Sequence, residues 1–388
     1  MNLEASAPLI SFGPRIRKSP FFDATLRYGA RTFSIYNQTY IVTSYGDTVA
    51  EYWSLVNDVT LWDVTCQRQV EISGPDAFRL VQFLTPRDMS NCEVGQCQYM
   101  ALTNEDGGIV NDAVLLRIAE DRFWLSPGDG DVLWWAMGVA VNSGMDVKVI
   151  EPDVSPLQLQ GPKSPLVARD LFGHWAVELK YYRLAETELD GIPLFVSRTG
   201  WSGELGYEIY LCDGQYGDQL WERIMQAGKP YDIAPAAPNT IRSVEGGLLS
   251  YRSDITLADS PFTIGMDRFV ELDQPDDFIG REALTKIQEQ GPARRLVGIE
   301  IHGDPLAGFN EEFWDIRDGE EKIGHVTRCI HSPRLQKNIG WANVLSKYSA
   351  IGTDFVVASP EGSLEATVCE APWVAPQIKI PDEMKKRG

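Results

Sequence analysis

The sequence predicts an α+β protein whose carboxy-terminal part closes into a small β-barrel, and three observations carry that expectation. Period-two, β-branched segments and helical patterns are mixed without the steady strand–helix–strand alternation of a doubly wound sheet. Helical pattern all but vanishes beyond "KIQEQGPARR", residues 286–295, where short strands and Gly turns take over. The composition, 44% hydrophobic and 23% charged over 388 residues, is that of a folded chain long enough for more than one packed unit.

Taken in order, "TFSIYNQTYIV", "RQVEISG", "GIPLFVSR", "GYEIYL", "RLVGIEI" and "LEATVCE" read as strands. "TVAEYWSLVNDV", "PDAFRLVQFL", "DGDVLWWAMGVAVNSG", "KSPLVARDLFG" and "YGDQLWERIMQAG" read as helices, several opening on Asp or Ser and stopping at Gly. "VLWWAMGVAV" falls well short of the roughly 18 apolar residues of a membrane span and reads as a buried amphipathic helix. The expected division is 1–286 and 287–388, the second part being a β-barrel or sandwich of the usual size, about 90–100 residues. The tail "PDEMKKRG" reads as frayed.

A formal charge of -20 argues against nucleic acid, whose phosphates need clustered Lys and Arg, and is compatible with a small cationic substrate. The amino terminus shows no secretory pattern, and no membrane segment is present, so a cytoplasmic protein is expected. The six cysteines are scattered with no Cys-x-x-Cys pair, which suggests reduced, mostly buried thiols.

Several chemistries fall away on inspection of the motifs. No Gly-x-Gly-x-x-Gly or Walker loop supports nucleotide binding. His325, Cys329 and His331 share parity on an extended strand, but a catalytic zinc wants tight ligand geometry and supporting carboxylates, this short-range match is a weak motif, and no metal is expected. In "RTGWSGELGYEIYL" the Gly-x-Ser-x-Gly of a nucleophile elbow is broken, because Glu204 stands at the fifth position.

The same turn reads better as a ligand-facing loop. Gly200, Gly203 and Gly206 free the backbone for close approach. The strand that follows puts Tyr207, Ile209 and Leu211 on one face and Glu208 and Tyr210 on the other. A carboxylate among apolar neighbours needs donors. Either a guanidine-like heterocyclic edge or a buried Arg such as Arg242 supplies them. In "GQCQYMALTNEDGGIVNDAVLLRI" a hairpin carries Tyr99 on one strand and Asn111 and Asp112 on the other. Alternation lets only one of Asn111 and Asp112 look into a given cavity, and the hairpin alone is equally compatible with a solvated Asp. "NTIRSVEGGLLSYRSDI" places Arg242, Glu245 and Asp254 around an apolar helix ending near Tyr251, where their charges are free to form helix-surface pairs.

Together with "LWDVTCQRQVEISGPDA", "LQLQGPKS", "FIGREAL" and "IGHVTRCIHSPRLQKNIGWANV", these stretches resemble, in order, the glycine-cleavage T-protein family of folate-dependent aminomethyltransferases and demethylases. Within it, "TPRDMS", "QCQY", "VND", "IVEPDVSP", "RTGWS", "LLSY" and "IHSP" look like the dimethylsulfoniopropionate demethylase branch. The resemblance implies a three-lobed fold around a channel for tetrahydrofolate, closed on one side by the carboxy-terminal barrel. It implies Glu208 on the pterin edge, Tyr99 and Tyr210 lining the pocket, Trp201 against the methyl donor and Tyr182 on an aromatic pocket wall.

Two departures pull in opposite directions: Asn111 departs from the aminomethyltransferases and matches the sulfonium demethylases, whereas Gly203–Glu204–Leu205 departs from those demethylases and matches the wider family. Asn111 stands where aminomethyltransferases carry Asp, with Asp112 second. An amide does not exchange a proton with an amine leaving group near neutral pH, which disfavours aminomethyl transfer. A sulfonium donor needs no such acid. After "TGWS" the sulfonium demethylases have Lys–Gln–Gly, whereas this chain has Gly203, Glu204 and Leu205, which removes a carboxylate partner and makes an anionic donor less welcome. The expectation is therefore a tetrahydrofolate-dependent demethylase acting on a small, cationic methylated donor, dimethylsulfoniopropionate first. An aminomethyltransferase and a non-catalytic folate-binding protein are the alternatives.

Overall fold

The computed structural model describes residues 11–386, so the first ten residues, on which part of the leader reading rests, and Arg387 and Gly388 of the tail lie outside the described residues. A six-stranded sheet forms the centre, in the order Leu184–Leu189, Ile192–Ser197, Gly206–Leu211, Ser155–Gln160, Val59–Asp63, Ile233–Pro235. A second sheet orders Cys97–Thr103, Ile109–Ala119, Arg122–Pro127, Val70–Ser73 and Lys148–Ile150. Beyond the helix Arg281–Gln290, six strands from Arg294–Ile301 to Gly362–Cys369 close a barrel. The α+β class and the carboxy-terminal barrel both stand.

The strand Gly206–Leu211 explains how the sheets stack, because it is buried along its whole length. Tyr207, Ile209 and Leu211 pack against Trp221 and Ile224 of the helix Gly217–Gly228 and Val167 of the helix Ser164–Phe172. Tyr210, on the opposite face, meets Cys97, Leu116 and Trp124 of the second sheet. The Trp124 ring lies 5.0 Å from Phe195 and 6.2 Å from Tyr210. Full burial of an aromatic of this size contributes about 1.5–3 kcal/mol, so this seam fixes the two sheets against each other. Polar contacts tie the barrel to the rest. Asp254 pairs with Arg328 and accepts from Thr327 Oγ1 at 2.7 Å, and Asn343 Nδ2 donates to Asp259 at 2.8 Å.

All five expected helices form, but three local readings need correction. "TFSIYNQTYIV" is a hairpin of Thr32–Tyr36 and Thr39–Ser44, turned by Asn37 and Gln38 at φ +48° and +57°. Asn tolerates that left-handed region, and no Gly marks the turn. The helix Val132–Val141 buries Val132 and Ala136 but leaves Trp134 64% and Val141 74% exposed, so it is apolar on its solvent side as well. The tail is not frayed where it is described: Ile380 is buried and Met384 packs on the central core. Among the described residues no helix is long and apolar enough to cross a membrane.

Candidate active site

Glu208 is buried at the centre of a polar cluster, and strand register explains its partners. It lies opposite Gln158 on one neighbouring strand and Ser197 on the other. Its carboxylate accepts from Gln158 Nε2 at 2.8 Å, from Tyr210 OH at 3.1 Å and from Thr199 Oγ1. The group is only 4% exposed and none of these donors is a cation. Burial pushes its carboxyl above the usual range, while the three hydrogen bonds pull the other way. The pairing with Arg242 does not occur: Arg242 Nε donates to Glu204 at 2.7 Å, with both side chains buried.

That ion pair also revises the turn before Glu208. Glu204 is held by Arg242, with Arg334 at 3.9 Å, so its charge is matched within the protein and opposes no anionic donor. The glycines make room for side chains rather than a ligand. A Cβ at Gly200 or Gly206 would fall 2.3 Å from the Gln160 amide, and Gly203, at φ +65°, lies against the Arg242 guanidinium. Ser202 is fully buried and donates to Gln160 at 2.6 Å, which leaves no nucleophile exposed in the broken elbow. Trp201 lies half-buried in the same turn. Its backbone N–H donates to Gln158 Oε1 at 3.3 Å and its Nε1 to Leu249 O at 3.2 Å, so Gln158 joins Trp201 to Glu208. Arg328, from the barrel, lies 5.9 Å from the Trp201 ring centroid.

On the second sheet, Tyr99 sits diagonally across from Asp112, and its hydroxyl donates to Asp112 Oδ2 at 2.9 Å. Asp112 is therefore not the solvated hairpin acid that the pattern alone allowed. Burial pushes its carboxyl up to about 6, with the Tyr99 hydrogen bond opposing the rise. Tyr182 packs against the Cys97, Trp124 and Tyr210 cluster where the two sheets meet. Burial raises its phenol first, and the charges of Tyr181, Cys97 and Glu208 add to it, while Tyr182 in turn contributes to raising Tyr99. Asn111 is fully buried, and among the described residues neither its amide oxygen nor its nitrogen has a partner. A Cβ placed on Gly128 would lie 3.1 Å from Asn111 Oδ1 and 3.2 Å from Asp112 Oδ1, so both side chains reach the same backbone turn.

Sequence reasoning missed Gln158 and Thr199, the groups that hold Glu208. Two glutamines alternating in the otherwise apolar strand "SPLQLQ" were the available signal. The third constellation is also different from the expectation. Its helix, Thr240–Glu245, stops before Tyr251, and Arg242, Glu245 and Asp254 are buried rather than paired on a surface. Glu245 accepts from Tyr52 OH at 2.9 Å and Ser332 Oγ at 2.6 Å. The His325–Cys329–His331 parity is broken by a register shift between Val326 and Arg328. Cys329 lies in the barrel core, and His331 Nδ1 is 3.0 Å from Asn338 Oδ1.

The Asp112 environment fixes a pH dependence. A carboxyl raised from 3.8 to about 6 binds more protons folded than unfolded between those values. Stability supplied by this group is therefore present below about 4 and is lost as pH rises through 6. Asp112→Asn should flatten that fall, as read by urea unfolding at a series of pH values.

Comparison with known proteins agrees with this architecture. The GCVT N-terminal domain family matches residues 21–274, and the glycine cleavage T-protein C-terminal barrel domain matches residues 294–374. The dimethylsulfoniopropionate demethylase of Ruegeria pomeroyi is 35% identical over 92% of this chain and 98% of its own. The aminomethyltransferase of Halalkalibacterium halodurans is 31% identical, again over 92% of this chain and 98% of its own. A crystal structure of the glycine cleavage system aminomethyltransferase T from Bartonella henselae shares the fold, with a TM-score of 0.84 over 94% of this chain and 99% of that one at 23% identity. The chain therefore belongs to the glycine-cleavage T-protein family and is an enzyme that handles one-carbon units with tetrahydrofolate.

Proposed function

We propose that this enzyme is a demethylase, moving a methyl group from a small methylated donor to N5 of tetrahydrofolate, with dimethylsulfoniopropionate as the leading donor. The observation that carries the reading is Glu208, a buried carboxylate with neutral donors and, among the described residues, no cationic partner. The guanidine-like edge of a reduced pterin offers it two N–H donors in a charge-assisted, bidentate contact. The unpartnered amide of Asn111 and the unpartnered Asp112 Oδ1 fit the same group, since buried polar atoms without partners call for a ligand or water.

In this reading each residue has a limited task. Glu208 binds and orients the pterin edge, and Tyr99, Tyr182 and Tyr210 line the pocket. Tetrahydrofolate, when bound, supplies the amine that accepts the methyl group. Trp201 steadies the donor on the ring face that Arg328 does not occupy. Asn111 hydrogen-bonds without titrating, which suffices for a sulfonium because its leaving group is a neutral thioether. The protein then has only to hold the reacting atoms at near-attack distance.

One observation favours the second reading, aminomethyl transfer. Asp112, raised to about 6, holds and releases a proton near neutral pH and supplies the acid that Asn111 lacks. Incubation with tetrahydrofolate and a panel of sulfonium, N-methyl and aminomethyl donors, followed by mass analysis, separates the two. Methyl-folate supports demethylation, and methylene-folate alone supports aminomethyl transfer. Trp201→Ala is expected to raise the donor KM about 2- to 30-fold, the range of one cation–π contact, with tetrahydrofolate affinity within twofold of wild type.

A further inference from the structure

Arg87 stands at the edge of the Tyr99–Tyr182 cluster, and its chemistry is unused by the account above. It is half-buried, and one of its donors reaches the carbonyl of Tyr99. Its guanidinium lies 4.7 Å from the Phe269 ring centroid, and the exposed Arg268 lies 4.6 Å from the same centroid. Phe269 is in turn 5.5 Å from the Tyr99 ring, so two guanidinium groups and an aromatic form one continuous surface beside the site. Neither arginine forms an ion pair with a carboxylate among the described residues, in a chain where 55 acidic residues outnumber 35 basic ones. The nearby Glu271 accepts from the backbone N–H of Asp88 and attracts Arg87 by its charge without forming an ion pair with it. Burial lowers the Arg87 pKa, the Glu271 charge opposes that fall in part, and the Arg268 charge adds a smaller push downward.

We propose that Arg87, assisted by Arg268, anchors a carboxylate of a ligand of this site. A guanidinium with free donors receives a carboxylate in a bidentate fork that an ammonium does not reproduce. The anchor restores the anion recognition that the Gly203–Glu204–Leu205 turn lacks, from a different element. It rests on the one-carbon reading above, and two carboxylates meet its chemistry: that of the donor and that of the glutamate of folate.

Equilibrium calorimetry on the whole enzyme tests it with two matched pairs of ligands. One pair is tetrahydrofolate and tetrahydropteroate, which lacks the glutamate. The other is dimethylsulfoniopropionate and trimethylsulfonium, which lacks the carboxylate. Arg87→Gln is expected to weaken the carboxylate-bearing member of at least one pair about 10- to 100-fold, the loss expected for one charge-assisted contact, while the member without it changes less than twofold. Arg87→Lys falls between, and Arg268→Gln, at an exposed position where folding is undisturbed, gives a smaller loss in the same direction. The pair that responds identifies the source of the carboxylate. If Arg87→Gln leaves both pairs unchanged, or weakens members with and without the carboxylate alike, the anchor is wrong. Failure of the methyl-transfer reading is seen separately, as a wild-type enzyme that forms no methyl-folate, and the folate pair then still decides the role of Arg87.

Discussion

Glu208→Gln should raise the dissociation constant for tetrahydrofolate about 10- to 100-fold while leaving the enzyme folded. The carboxylate is the one charged member of its cluster, accepting from Gln158, Thr199 and Tyr210. Hydrogen bonds to a charged group contribute about 1.5–3 kcal/mol each, against about 1 for neutral pairs, and an amide offers a single acceptor oxygen to the two N–H donors of the pterin edge. The fold tolerates the change because the new amide oxygen keeps the bond from Gln158, and the Thr199 hydroxyl rotates to accept from the new amide NH2 and donate to Ser197. Calorimetric titration with tetrahydrofolate reads the first effect and thermal unfolding the second. Equal affinity in the two proteins would remove Glu208 from the site.

Arg242→Met should lower unfolding stability by about 3–5 kcal/mol, the largest single loss expected outside the hydrophobic core. Arg242 is fully buried and Glu204 nearly so, and Gly203 packs its backbone against the guanidinium, whose NH2 also donates to Gly203 O at 2.9 Å. Removing one partner of such a pair strands a desolvated charge, whereas removing both is far milder. The double variant Glu204→Gln with Arg242→Met is therefore expected to recover a large part of the loss in urea unfolding. The turn that Arg242 braces carries Trp201, so the single variant should also bind the donor more weakly. Additive losses in the double variant would show that the pair is not the source of the effect.

How much of this was legible in the sequence depended on whether the deciding contact was local. The two faces of "GYEIYL" follow from alternation alone, and the structure sorts Tyr207, Ile209 and Leu211 from Glu208 and Tyr210 as expected. The barrel was legible because strand pattern and Gly turns persist there without helical interruption. The Asn37–Gln38 turn was missed because the side chains that tolerate positive φ here are not the Asn–Gly signature of short hairpins. The partners of Glu208 and Glu204 were missed for a different reason. Gln158 and Arg242 lie some 50 and 38 residues away in sequence, and only sheet register and helix placement bring them in. The glycines of the turn misled because an absent Cβ makes room equally for a ligand or for Gln160. Arg87 and Arg328 come from separate elements that converge on the aromatic residues, a juxtaposition that spacing does not encode.

The most direct measurement is a crystal structure of the enzyme soaked with tetrahydrofolate. The account predicts both oxygens of Glu208 against the amino-pyrimidine edge of the pterin, with Tyr99 and Tyr182 within contact of the ring and N5 turned toward Trp201. A pterin seated elsewhere, with Glu208 still bound only to Gln158, Thr199 and Tyr210, would contradict it.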